Sequence, residues 1–169
     1  LMERARWKAR DQAPATDIHN EKYFRGKIKS HAIGSDPSAD KIVFGFGIHE
    51  KIQLRPEETP YIYSFSHSPY LVARIRSGSG DNYAFAVHYS KLDGANTPWK
   101  RLQEYVNLGD GFDAHGQWLY AATSGGPRYS VVKIDMETGS RPQAFLPQRE
   151  DVLAVTDSRH SSAIVAGKD

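Results

Sequence analysis

The sequence predicts an all-β fold, a partial β-propeller of about two complete four-stranded antiparallel blades flanked by partial blades. Three observations predict it. The apolar run YLVARI begins at Tyr70, its counterpart WLYAAT at Trp118 and a third, SAIVAG, at Ser162, so the offsets are 48 and 44 residues. A second set of runs keeps step, because YAFAVHY begins at Tyr83 and YSVVKID at Tyr129, 46 residues on. A propeller blade is a four-stranded antiparallel meander of about 40 to 50 residues, so both sets have blade spacing. Finally, successive runs lie too close together for parallel crossovers, which need a dozen or more residues and usually a helix. No helical segment of that kind interrupts them.

Residues 1–22 show no period-2 alternation and are read as a poorly defined N-terminal segment. Arg4, Arg6, Lys8 and Arg10 surround Trp7 there; a basic run beside one aromatic can contact phosphates, but without a second aromatic it reads as a solvated loop. The propeller is assigned to 23–169, divided into a blade remnant (27–48), a blade (59–106), a second blade (110–147) and the start of another (151–167). In the remnant, KIKSHAIG (27–34) sets Ile28, Ser30 and Ala32 against Lys29, His31 and Ile33, and KIVFGFG (41–47) is an apolar run ended by glycine. Gly34, Asp36, Pro37 and Asp40 between them make a turn by composition. These are the outer two strands of an earlier blade, and the charged passage from His49 to Glu58, with Pro56, crosses to the next.

In the blade that follows, Tyr61, Tyr63 and Phe65 alternate with Ile62 and Ser64, and the turn SHSP leads into Tyr70–Arg76, where Leu71, Ala73 and Ile75 share one face. SGSGDN (77–82) is a glycine-rich hairpin, YAFAVHYS follows, and KLDGANTP ends at Pro98 before the outer strand starts at Trp99. GFDAHG, QWLYAAT, RYSVVKIDM and RPQAFL repeat the plan.

At 169 residues the chain can build one domain with a sizeable core. A closed propeller takes at least four blades and commonly six to eight, about 180 to 350 residues, so the chain reads as a segment of a larger architecture with both ends cut. Lys and Arg number 22 against 20 Asp and Glu, and a net charge of +2 is too small to imply a nucleic-acid or membrane surface. The absence of cysteine excludes disulfides and thiolate metal sites. No apolar run approaches the ~18 residues of a membrane span, and no signal-peptide core is visible. The compartment stays open.

Little in these residues suggests chemistry of its own. A hydrolase nucleophile needs a strand, a small-x-Ser-x-small turn and a following helix. The nearest match, Ala122-Thr123-Ser124-Gly125-Gly126, is followed by Pro127 and a β-rich run, so it reads as a hairpin turn. The histidines at 19, 31, 49, 67, 88, 115 and 160 lack metal-ligand spacing, and His31 and His88 read as residues filling or edging a sheet face. Asp36 with Asp40, and Asp110 with Asp113, lie beside Gly or Pro and fit no EF-hand loop, so they read as turn caps. Gly45-Phe46-Gly47 lacks the third glycine and helix of a dinucleotide loop. No catalytic residue, metal ligand or cofactor is assigned.

The order of the pieces resembles the propeller of the prolyl oligopeptidase family of serine peptidases. The resemblance is carried by His31-Ala32-Ile33-Gly34 with Asp40-Lys41-Ile42-Val43-Phe44, by Phe65-Ser66 with Tyr70-Leu71-Val72-Ala73-Arg74-Ile75-Arg76, and by Trp99-Lys100-Arg101-Leu102. It continues through Leu119-Tyr120-Ala121-Ala122-Thr123-Ser124, Pro127 to Asp135, and Phe145-Leu146-Pro147, and so covers about residues 27–155. One departure is the turn that the family writes Ser-x-Asp-Gly-Arg-Tyr, which here is Ser66-His67-Ser68-Pro69-Tyr70, one residue shorter and without its glycine.

The resemblance implies a seven-bladed propeller coupled to an α/β-hydrolase domain that carries the Ser, Asp and His, with the propeller capping the active site and admitting short peptides. This chain would be a middle portion of that cap and inactive by itself. Its implied partners are the hydrolase domain of the same parent chain and a short peptide, with no nucleic acid and no membrane. Arg76 matches a family arginine that hydrogen-bonds a substrate carbonyl, and Ser79 matches a neighbouring cysteine position, although an arginine at a hairpin start is also an ordinary solvated residue. Two other readings stand beside this one. The chain could be a stand-alone propeller-like interaction module that self-associates through its blade edges, or a small β-sandwich carbohydrate binder, whose expected aromatic platform is indistinguishable in sequence from Trp99, Trp118 and the nine tyrosines acting as blade core.

Overall fold

The computed structural model describes residues 24–76, 82–102, 111–123, 130–147, 152–158 and 161–167. Its strands form four antiparallel sheets, two of four strands and two of two. This is a partial β-propeller. The first sheet pairs β1 (Lys27–Ser30) with β2 (Lys41–Gly45), with a register shift between Ile28 and Lys29. The second runs in the order β3 (Thr59–Ser64), β4 (Tyr70–Arg76), β5 (Asn82–His88) and β6 (Lys100–Leu102). The third orders β7 (Phe112–His115), β8 (Trp118–Thr123), β9 (Ser130–Asp135) and β10 (Gln143–Leu146) as a meander in the same sense. The fourth is the hairpin of β11 (Val152–Ser158) and β12 (Ser161–Gly167), paired from Val152 with Gly167 to Ser158 with Ser161.

The second sheet is buried on both faces, which is why β4 reads as a near-continuous apolar run and not as an alternation. Leu71, Ala73 and Ile75, with Phe85 and Val87 of β5, pack against Ile28, Val43 and Phe44 of the first sheet. Tyr70 and Val72, with Ala84 and Ala86, pack against Phe112, Ala114, Leu119, Ala121 and Ile134 of the third. The side chains of β4 therefore alternate between two inter-blade cores, and neighbouring blades are joined face to face.

Polar contacts add stitches between blades. Trp99 donates its indole N–H to the Val43 carbonyl at 2.8 Å and meets Phe44 edge-on, with ring centroids 5.0 Å apart. On the other side, the turn between β3 and β4 reaches the turn between β7 and β8. Ser68 Oγ donates to the Gly116 carbonyl at 2.6 Å, and the Gly116 N–H donates to the His67 carbonyl at 2.7 Å. The short Ser66–Pro69 turn thus serves as an inter-blade contact.

Three sequence expectations change. KIKSHAIG leaves the strand after Ser30, because His31 bonds Asp40 at 2.6 Å and the Ser35 N–H closes a turn on the Ala32 carbonyl at 3.0 Å. Ile33 consequently stands 56% exposed. Asp36 does cap its turn, accepting from the Ser38 N–H, but Asp40 pairs with His31 instead of capping. Asp113 is no turn residue at all: it lies within β7 and is buried. Gly45 ends β2 as expected, and the reason is steric: at φ 139° a Cβ there would lie 2.5 Å from the Gly26 carbonyl oxygen.

Candidate functional site

Arg76 is the last residue of β4, where it pairs with Thr59 on one side and Asn82 on the other, and its side chain is exposed. The register places it at the end of the sheet from which the 77–81 connection leaves. A guanidinium in that position presents its planar donor fork to solvent, as recognition of a carbonyl or carboxylate requires. Ser79 lies outside the described residues, as do Ser124, Gly125 and Gly126 of the small-x-Ser-x-small turn.

The residues next in register form a polar cluster that the sequence reading did not identify. Glu58 precedes Thr59 and is almost fully buried, yet its carboxylate accepts from the Arg55 N–H at 2.8 Å, from Arg55 Nε at 3.0 Å and from the Tyr83 hydroxyl at 2.6 Å. Burial disfavours the charge of Glu58, but the hydrogen bonds from Tyr83 and Arg55 together outweigh it and hold the carboxyl below its ordinary value. The same burial, with the Glu58 hydrogen bond, pushes the Tyr83 hydroxyl up. Tyr83 also lies under Arg101, whose guanidinium carbon is 5.4 Å from the ring centroid. These groups and Lys51 line a cavity of about 470 Å³ between the 51–58 connection and the second sheet. The sequence shows this passage only as a charged crossing from His49 to Glu58, and nothing in it ties Glu58 to Tyr83.

The carboxylate already accepts from Arg55 and Tyr83, so the arrangement positions these side chains against one another. The described histidines have structural partners. His67 and His115 face each other across the inter-blade bridge, with ring centroids 5.7 Å apart, and His88 stacks on Tyr89. Among the described residues no group of three or more His, Asp or Glu side chains is placed to hold a metal.

No family model matches the chain, and no curated protein matches it in sequence. Solved structures do. A prolyl endopeptidase from a study of two such enzymes and the role of their inter-domain dynamics superposes with a TM-score of 0.65 at 18% identity, over 92% of this chain and 22% of its own. Prolyl oligopeptidase B from Galerina marginata, bound to a 25mer macrocyclization substrate, gives 0.62 at 20% identity over 95% of this chain and 22% of its own. The apo form of that enzyme gives 0.59 at 21% identity, over 85% and 20%. The chain carries a fold found in prolyl oligopeptidases. It spans about 22% of the length of these prolyl oligopeptidase chains. The likeness is one of fold, since identity is low throughout.

Proposed function

We propose that this chain is a segment of the substrate-gating propeller of a prolyl oligopeptidase-like serine peptidase. Hydrolysis of short peptides belongs in this reading to an α/β-hydrolase domain of the same parent chain, and the segment itself contributes no catalytic residue. The observation that carries the reading is the superposition on prolyl oligopeptidases over nearly the whole chain, in agreement with the ordered motif matches along the sequence. Arg76 is the substrate-contacting side chain in this reading, and Ser79, three residues on in the sequence, is assigned with it. Its support is its exposure at the end of β4. No cofactor, nucleic acid or membrane enters the mechanism.

The test uses the product of the complete reading frame with short proline-containing peptides as substrates. Arg76→Ala is expected to raise KM about tenfold with little change in kcat, the signature of lost ground-state binding worth about 1.4 kcal/mol. An exposed strand-end position leaves stability within about 0.5 kcal/mol, so folding does not obscure the readout. An unchanged KM removes Arg76 from the site, and an absence of peptidase activity in the wild-type product removes the function.

A further inference from the structure

The packing of one blade on the next brings a pair of histidines together. His67 lies in the turn between β3 and β4, three residues before Tyr70, and His115 ends β7, three residues before Trp118. They hold the same place in successive blades, 48 residues apart, which is why linear spacing conceals them. A parallel bridge joins the two residues, the Gly116 N–H donates to the His67 carbonyl at 2.7 Å, and Ser68 Oγ donates to the Gly116 carbonyl at 2.6 Å. These contacts fix both backbones. The rings stand 5.7 Å apart between centroids, tilted by 33°, and both residues are exposed to solvent.

We propose that His67 and His115 together chelate a zinc-like divalent transition ion, one ring nitrogen from each, with water in the remaining coordination positions. Imidazole nitrogen suits zinc, copper and nickel, whereas magnesium and calcium require oxygen ligands. Zinc binds such a nitrogen at about 2.0 to 2.1 Å, so a tetrahedral ligand angle sets the two ring centroids about 5.2 Å apart. The observed separation is about half an ångström longer, which a small rotation of either exposed side chain removes.

Hydrogen bonding singles out this pair among the described histidines. The ring of His31 is bonded to Asp40 at 2.6 Å, that of His49 to the Val43 carbonyl at 3.0 Å and that of His88 to Ser90 Oγ at 2.7 Å. Among the described residues the ring nitrogens of His67 and His115 have no hydrogen-bond partner, so the acceptor nitrogen of each neutral ring is left to an ion. Because the inter-blade bonds already hold the two backbones, little freedom is lost when the ion binds. A bound ion ties the two blades at the end of β4 opposite Arg76. The site therefore stands apart from the substrate-contacting position, and the inference does not rest on the peptidase reading.

The experiment uses the product of the complete reading frame, without a histidine tag and stripped of metal by a chelator. Equilibrium dialysis against Zn2+ alone counts the ions held per chain in the wild type, in His67→Ala, in His115→Ala and in the double variant. One ion fewer is expected in each single variant and again only one fewer in the double, because both rings share it. Dialysis against Mg2+ should show no difference among the four proteins. Circular dichroism matching the wild type confirms that each variant is folded, and His67→Gln or His115→Gln replaces any alanine variant that is not. An unchanged zinc count in the single variants, a loss in only one of them, or a loss of two ions in the double variant would each overturn the proposal. Peptidase activity of the same wild-type product reports on the gating reading separately.

Discussion

Glu58 keeps its charge where burial opposes it, and its partners come from two directions, Arg55 on the preceding connection and Tyr83 across the sheet on β5. Removing it leaves a buried hydroxyl and a guanidinium without their shared acceptor. Glu58→Ala should therefore cost about 3 kcal/mol in urea unfolding, and Tyr83→Phe about 1 kcal/mol. The pH dependence follows from the lowered carboxyl: its stabilisation is full above the ordinary value near 4.5 and is lost as pH falls through the lower folded value. An acid titration of stability should accordingly lose that limb in Glu58→Ala. At the other extreme, burial and the hydrogen bond to Glu137 push the Tyr70 hydroxyl up to about 12. That contribution is full below the ordinary 10.0 and is lost as pH rises toward 12, so Tyr70→Phe should flatten the alkaline limb of the stability curve. None of these partnerships was legible in the sequence. Pairs such as Glu58 with Tyr83, or His31 with Asp40, exist only once the chain has folded, and Asp113 was read as a turn cap because it was taken together with Asp110, which adjoins Gly111.

Strands were far more legible than turns. Tyr70–Arg76 was read with its observed limits, and its alternation of Leu71, Ala73 and Ile75 against Tyr70 and Val72 is the division between the two cores. The pleat sends successive side chains to opposite faces, so a short continuous apolar run divides into two buried faces once it forms a strand. The end of β1 was missed because its pattern continues through His31-Ala32-Ile33, while a side-chain bond and a glycine turn decide where the strand stops. The Ser66–Pro69 turn was read as a shortened hairpin, and its bond from Ser68 to Gly116 could not be foreseen from local residues. Two substitutions weigh these elements. Leu119 is fully buried in the core shared by the second and third sheets, so Leu119→Ala should cost about 2 to 5 kcal/mol by chemical denaturation. Gly45→Ala would drive its Cβ into the Gly26 carbonyl and the Lys27 Cα, both backbone atoms, so its midpoint should fall although no apolar contact is lost.

A propeller is a ring of nearly interchangeable blades, and this is why the fold could be read from repeat spacing while its function could not. Each blade's core residues answer to its neighbours, so the apolar pattern encodes packing and leaves no mark of what the ring encloses. The functional part of the reading came from the order of short motifs, and superposition on prolyl oligopeptidases agrees with it at the level of fold. The gating proposal is tested most directly by determining the reading frame on both sides of residues 1–169. A propeller cap requires a Gly-x-Ser-x-Gly elbow within several hundred residues downstream, followed by an Asp and a His; a frame that closes without them would contradict the peptidase assignment.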